Sequence, residues 1–529
     1  MTEPEISRSD GEGASRRRLK STAIFAAWTA VSRVAGLARE ILTAALFGTR
    51  GSINAFTFAF QVPNLLRSLV ADSALSAAFI PVFTELEERG KPQAARRLAM
   101  SLAALFALAI GLITLIAIIL APFFIPLITG FDADLTDQAV VYTQLMFPIV
   151  PLLALTGLVM AILQVGDRFG PTAFAPVLWN LLIIATLVVS ALALDGDDRL
   201  IGYSVGIVIG TLGQLLFLVP YMRGLGPFPR PTSLWNDDVS RVLELMFPVV
   251  IGLGLINVNL VVGSAIATEV FENEGPQPLN LAFRLYILPQ GVFSVAVATV
   301  LFPAIGRLAA RGALGELRDV VAGGIRQIFT VLVPASIGMI LLAEPITRLV
   351  YERGEFDASS TDITSSALVF FCIGMAFNGA SLLLIRAFFA LKRPWLPTFV
   401  AAIGAVLFAP LAWMLSLRME LDGIALATSI VSLVTFMVLL ELLRRELGGI
   451  GTPLLIDGFV RSLVAGAAAA GIAWAVWWAA DDILGRSLPA QIASVGVAGA
   501  IGVGALLSVA GLLGLGEVRK LLKGGLSLR

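Results

Sequence analysis

The feature that most constrains this chain is a succession of long apolar runs separated by short polar loops. Fourteen can be drawn, at 22–47, 54–84, 98–127, 137–164, 171–194, 200–221, 240–268, 279–305, 325–350, 363–390, 395–416, 423–443, 457–480 and 489–514. Each meets or exceeds the ~20 residues that carry an α-helix across a bilayer. Only helices and closed barrels satisfy every backbone group in lipid, and these runs lack the alternation of barrel strands. Composition agrees, with 57% hydrophobic and 14% charged residues, against about 25% charged in a soluble domain. The expected fold is an all-α polytopic membrane protein of about 14 transmembrane helices.

Loop charge sets the topology. Alternate loops are basic: Arg89, Lys91, Arg96 and Arg97; Arg168; Arg223 and Arg230; Arg307, Arg311 and Arg318; Lys392 and Arg393; Arg444 and Arg445; then Arg519, Lys520 and Lys523. The loops between them are acidic, as at Asp132, Asp134 and Asp137, Asp195, Asp197 and Asp198, Glu269, Glu272 and Glu274, Glu352, Glu355 and Asp357, and Asp481 and Asp482. The excess of Lys and Arg on one side places both termini in the cytoplasm and requires an even number of spans. Residues 1–20 carry Arg16, Arg17, Arg18 and Lys20 and lack a signal-peptide cleavage site, so a disordered cytoplasmic tail is expected there.

The chain also repeats itself. Ala59-Phe60-Gln61 resembles Ala282-Phe283-Arg284, Pro81 resembles Pro303, and Leu120-Ala121 resembles Leu342-Ala343. Thr136-Asp137 matches Thr361-Asp362, and Arg168 with Pro171-Thr172 matches Arg393 with Pro397-Thr398. The offset drifts slowly from 222 to 226 residues and spans an even number of helices, so the halves insert in the same direction. Such parallel repeats suggest two lobes with a site between them. The expected organisation is a tail at 1–20, two parallel six-helix lobes at 21–222 and 223–446, two added helices at 447–515, and a cytoplasmic tail at 516–529.

Charge inside the apolar runs is the functional signal, because an ionisable side chain at mid-membrane costs roughly 2.5–3.5 kcal/mol on insertion scales. Arg33 lies roughly 16 Å in from the cytoplasmic edge of the first span at ~1.5 Å per residue, and Arg67 roughly 20 Å in from the outer edge of the second. Arg39 sits nearer the outside, and Arg284 approaches the same zone in the second repeat. Guanidinium groups offer planar, bidentate, permanently charged donors suited to phosphate. The competing explanation is internal neutralisation: Glu40 lies seven residues after Arg33 on nearly the same helix face, and Asp72 follows Arg67. Arg50, Arg348 and Arg418 stand near span ends, where snorkelling is expected; Arg386 fits either description. Asn54, Asn64, Gln61 and Gln290 suit interhelical hydrogen bonding as well as ligand contact, and Gly36 and Gly291 suit close helix packing. Trp474, Trp477 and Trp478 are expected to form an interfacial aromatic belt.

Other chemistry is thinly represented. The single cysteine, Cys372, excludes an intramolecular disulfide, and the chain has no histidine. No phosphate loop, nucleophile triad, metal motif or nucleic-acid signature occurs, so a transporter is expected rather than an enzyme.

Specific motifs then bear on family. Ser32-Arg33-Val34-x-Gly36-x-x-Arg39-Glu40, with Phe47-Gly48 and Asn54-Ala55-Phe56, is followed by Val62-Pro63-Asn64-Leu65-Leu66-Arg67 and Ala78-Phe79-Ile80-Pro81. Phe283-Arg284-Leu285-x-x-Leu288-Pro289-x-Gly291-Val292, Tyr351-Glu352-Arg353-Gly354-Glu355-Phe356 and Arg386-Ala387-Phe388-Phe389-Ala390 come later. As a set they resemble the MurJ (MviN) family of lipid II flippases, in the multidrug/oligosaccharidyl-lipid/polysaccharide exporter superfamily, across nearly all of residues 20–515.

The resemblance implies a transporter that alternates access around an arginine-lined cavity. Its cargo would be undecaprenyl-pyrophosphate-linked disaccharide-pentapeptide, moved to the outer leaflet of the bacterial cytoplasmic (inner) membrane. Arg33, Arg39, Arg67, Arg284, Asn54 and Asn64 would bind it, Glu40 and Asp72 would be charge partners or gates, and the last two helices would form a groove for the polyprenyl tail. Membrane lipids and cell-wall synthesis proteins are the other implied partners, with no nucleic acid and a monomeric state. Asn54 stands where the family often has Asp, and Phe283 where an acid sometimes precedes the eighth-helix arginine. The stretches Asn259–Gly263 and Ala401–Gly404 lack the carboxylates of a sodium site. No cofactor or metal is implied; membrane potential, at ~2.3 kcal/mol per charge per 100 mV, or an ion gradient would drive transport. The alternative is an exporter of another polyprenyl-linked oligosaccharide or of drugs. Drug cations call for an acidic cavity, and arginine outnumbers Glu40 and Asp72. A non-transporting scaffold for wall enzymes would tolerate loss of these arginines.

Overall fold

A computed structural model describes the backbone of residues 6–70, 73–226, 228–229, 233–271 and 274–514, with side chains except at 6–26, 66–70, 73–74, 76–77, 248–249 and 251–257. Every regular element among them is helical. Two compact units emerge: Met1–Leu46 with Gly51–Asn257, and Phe47–Arg50 with Val258–Arg529.

The first unit holds α1 (Ile6–Phe47), α2 (Ser52–Val70), α3 (Ser73–Glu88), α4 (Pro92–Leu105), α5 (Gly111–Ile128), α6 (Ala133–Met146), α7 (Ile149–Val165), α8 (Phe169–Ala193) and α9 (Asp198–Leu218), and α10 (Asp237–Val270) leads out of it. α1 begins at Ile6, so helix runs through much of the stretch expected as a disordered tail; the basic residues there are good helix formers. Pro63 and Pro81 sit inside α2 and α3, and a π-turn at Phe106–Ile110 joins α4 to α5. Near the C-terminal end of α3 the Glu85 carboxylate meets Arg89 and Arg241, both at 2.7 Å, which ties the start of α10 to this unit. The Arg241 hydrogen bond holds Glu85 below the usual carboxylate range.

The second unit holds α11 (Pro276–Arg311), α12 (Leu314–Leu341), α13 (Ala343–Tyr351), α14 (Ala358–Ile373), α15 (Met375–Ala390), α16 (Trp395–Glu446), α17 (Thr452–Leu484) and α18 (Leu488–Leu512). A straight helix the length of α16 would run roughly 78 Å, more than twice the hydrocarbon thickness. It is instead two arms meeting at Glu420, whose φ of 50° is left-handed. Gly423 makes the reversal possible: a Cβ there would lie 2.5 Å from the Leu415 carbonyl carbon. The arms enclose an apolar crevice of about 370 Å³ lined by Gly404, Leu407, Met414, Val431 and Thr435 among others.

One element is shared across the repeat. Asp132 caps α6 by accepting from the Leu135 amide at 2.9 Å, and Asp357, 225 residues later, caps α14 by accepting from the Ser360 amide at 2.8 Å. A break follows each capped helix, at Phe147-Pro148 and at Gly374, where α14 and α15 bend by 46°. The four residues Phe47–Arg50 complete the second unit. Gly48 (φ 63°) lies so close to Glu355 that a Cβ would come within 2.5 Å of its carbonyl oxygen. The hydroxyls of Thr49 and Ser360 share a hydrogen bond of 2.8 Å, and Arg50 donates to Ser359 at 2.8 Å and pairs with Glu274 at 3.3 Å.

Among the described residues nine helices are long and apolar enough to cross a membrane, and the bent pair α14–α15 adds a tenth. α16 supplies two arms to that set, and α10 contains a shorter apolar helix, Val258–Val270. This is a multi-pass membrane protein.

Candidate functional site

In the first unit the chemistry gathers around Arg39, which is 6% exposed although it carries a permanent charge. Its Nη2 donates to Glu40 Oε1 at 2.7 Å, and its guanidinium lies 5.0 Å from the centre of the Trp179 ring. Trp179 is held in turn, its Nε1 donating to Thr211 at 3.0 Å. On the next turn of α1, Thr43 donates to the Arg39 carbonyl and lies 3.1 Å from the Tyr203 hydroxyl, and Tyr203 stacks on Phe56. With one edge committed to Glu40 and one face to Trp179, Arg39 keeps Nε and Nη1 without a hydrogen-bond partner. Those two nitrogens lie on different edges of the guanidinium, so each is a charged donor that an oxyanion can meet singly.

The other sequence candidates of this unit are placed differently. Arg33 is exposed on α1. Among the described residues Glu40 pairs with Arg39, its neighbour, and not with Arg33 seven residues back. Adjacent helical residues diverge by about 100°, and the long flexible side chains here close that gap. Asn54 is fully buried at the start of α2, its amide donating to the Gly51 carbonyl at 3.3 Å, and Asn64 is half-buried further along. Arg67 lies on α2, but its side chain, and all of Asp72, fall outside the described residues. Asn180 of α8, which the sequence did not single out, reaches the Ser32 carbonyl at 3.4 Å and lies beside Gly36.

In the second unit Arg284 is half-buried on α11. Its neighbours Phe283 and Tyr286 both pack on Phe371 of α14 at 5.7 Å, which fixes the rotation of α11. One turn beyond Tyr286, Gln290 donates to Asn378 at 2.7 Å, and Asn378 donates to Ser432 at 3.3 Å, so a polar chain links α11, α15 and α16. Arg386 of α15 donates to Thr299 at 3.0 Å and lies over Phe302.

Two expectations are overturned here. Arg348 does not snorkel: it is 2% exposed, pairing with Asp481 and, at 3.3 Å, with Glu344. Trp477 is not part of an exposed belt with Trp474 and Trp478, for its ring turns inward to 5.7 Å from the Arg348 guanidinium. The physical reason is the same for both, since a carboxylate on another helix meets Arg348 inside the protein and replaces the water a snorkelling side chain seeks. Arg50 and Arg418 are exposed. Among the described residues no three Cys, Asp or Glu side chains converge as metal ligands would.

Comparison with known proteins accords with these features. The family model described as lipid II flippase MurJ matches residues 43–481, which takes in Asn54, Asn64, Arg67 and Arg284 and begins after Arg33, Arg39 and Glu40. A probable lipid II flippase MurJ of Treponema pallidum is 30% identical over 438 residues, covering 81% of this chain and 82% of its own. One of Rhizobium tropici is 31% identical over 415 residues, covering 75% and 76%. Among solved structures, a lipid II flippase MurJ in an inward closed conformation superposes with a TM-score of 0.76 at 22% identity over 93% of this chain and 98% of its own. An inward-facing multidrug resistance MATE transporter superposes with a TM-score of 0.69 at 15% identity over 79% and 94%. The chain belongs to the MurJ family of lipid II flippases, transporters of peptidoglycan biosynthesis rather than enzymes.

Proposed function

We propose that this protein moves undecaprenyl-pyrophosphate-linked disaccharide-pentapeptide from the inner to the outer leaflet of the bacterial inner membrane, by alternating access around an arginine-lined cavity. The observation that carries the proposal is the Arg39 guanidinium, buried within an apolar helical bundle, oriented by Glu40 and Trp179, and left with two uncommitted nitrogens. Such a group is expensive to keep in lipid and suits a pyrophosphate. Arg33, Arg67 and Arg284, with Asn54 and Asn64, bind the rest of the head group in this scheme. Glu40 and Asp72 neutralise the arginines when cargo is absent, and the α17–α18 hairpin receives the polyprenyl tail. Both termini face the cytoplasm, and membrane potential acting on the transported charge supplies the drive.

The test is depletion and complementation in a wall-synthesising host that lacks any other flippase. Depletion is expected to lower outer-leaflet lipid II, measured by surface labelling, and the wild-type gene to restore it. Arg39→Ala, Arg67→Ala and Arg284→Ala proteins, present at normal level in the membrane, are expected not to. Unchanged surface lipid II on depletion overturns the proposal.

A further inference from the structure

We infer that the buried Arg348–Asp481 pair positions the C-terminal hairpin α17–α18, and through it the hydrocarbon tail of the cargo; the second half rests on the function proposed above. The two residues stand 133 apart in sequence and belong to different helices of the second unit. Each brings a companion from one turn before it: Glu344 lies four residues ahead of Arg348 on α13, and Trp477 four residues ahead of Asp481 on α17. Residues spaced by four share a helix face, so the two faces meet as matched pairs. Arg348 thus receives two carboxylates and an aromatic face while almost wholly removed from solvent. Trp477 Nε1 is buried without an acceptor, so the cation beneath it rather than a hydrogen bond orients the ring.

The need for such a pin follows from the way the hairpin is attached. α17 lies along α12, with Gly466 against Pro334, Gly458 against Arg326, and Phe459 packed on Phe329 at 5.3 Å. Those contacts follow α12, with Phe377 of α15 meeting Phe459 at 5.6 Å, and a helix held chiefly along one line can roll about it. α18 adds little restraint, because Ile492, Val497, Ile501 and Val503 are each 43–57% exposed. The second point of attachment is α13, which lies off that line, packs against α18 and binds α17 through Arg348 and Asp481. A line and a point off it fix the tilt of the hairpin. Charge makes that point selective, since withdrawing Asp481 would strand a buried guanidinium.

The experiment uses the full-length protein in proteoliposomes. Wild type, Asp481→Asn, Arg348→Gln, and the exchanged pair Arg348→Asp with Asp481→Arg are assayed on lipid II carrying its natural long chain and on a short-chain analogue. The single variants are expected to transport the long-chain cargo about tenfold more slowly, as misplacement of a bound group does, with short-chain transport unchanged and the exchanged pair recovering. In parallel, spin labels at Leu341→Cys on α12 and Val497→Cys on α18, in a Cys372→Ser background, report hairpin tilt. The distance distribution is expected to broaden in the single variants and narrow again in the exchanged pair. Equal loss for both cargoes, or a distribution unchanged by Asp481→Asn, overturns the inference. Wild-type protein that moves neither cargo overturns the flippase assignment instead, and the distance measurement then decides the pin alone.

Discussion

The two units each bury an arginine against a carboxylate and a tryptophan, yet use the combination for different ends. Around Arg39 the carboxylate is the next residue in sequence, the Trp179 ring lies 5.0 Å away, and two guanidinium nitrogens are left over. Around Arg348 two carboxylates converge, one from another helix, the Trp477 ring lies 5.7 Å away, and only Nε lacks a partner. The first arrangement leaves donors for something else to claim. The second consumes its charge in holding helices together. Burial alone therefore does not tell the two arginines apart; the count of uncommitted donors does.

That difference can be broken by substitution. Arg348→Ala leaves two carboxylates facing a cavity and is expected to destabilise the protein by about 3–5 kcal/mol, read as a lower unfolding midpoint in mild detergent. Arg39→Lys keeps the charge beside Glu40 but loses the planar fork, so apparent affinity for cargo is expected to fall about tenfold while the midpoint moves little. Equal midpoint losses for Arg39→Lys and Arg348→Lys would erase the distinction. Trp179→Leu and Trp477→Leu are expected to lower stability by about 1–2 kcal/mol each, the range for a desolvated cation–π contact, with only Trp179→Leu also weakening cargo binding.

The smallest effects test the element the two units have in common. Asp132→Ala and Asp357→Ala each remove a helix cap and should lower stability by about 1 kcal/mol. The Ser360 amide hydrogen bond holds the Asp357 carboxyl below the usual carboxylate range, as Arg241 does for Glu85. A depressed carboxylate stabilises the fold above its ordinary value and loses that contribution as pH falls through the lower folded value. Stability of the wild type should therefore decline below about pH 4, and Asp357→Ala should flatten the decline.

Much of the fold was legible because lipid imposes one rule along the whole chain. Apolar runs marked the helices, and the Glu420 reversal falls between runs already separable at 416 and 423. Arg39 was legible as a candidate because it is a charge inside an apolar run. Its choice of partner was not: helical geometry offered Glu40 to Arg33, and side-chain length gave it to Arg39. Arg348 was misjudged for a related reason. Position near a span end reports depth but not direction, and the carboxylate that draws it inward lies 133 residues downstream. Trp179, Tyr203 and Asn378 were overlooked because a polar group inside an apolar helix signals a partner without saying which.

The placement of Phe47–Arg50 within the second unit bears on biosynthesis. These residues leave the ribosome more than two hundred positions ahead of Glu274, Ser359 and Ser360, the groups they meet. The second unit therefore cannot reach its final form as a fragment made from residue 258 onward, for a piece of it is supplied by residues 47–50. Until the chain has passed Ser360 that piece has nothing to dock on, which makes assembly of this protein a late event rather than a unit-by-unit one. Separately expressed halves would recover the native arrangement only if the early half kept its four-residue segment and delivered it in trans.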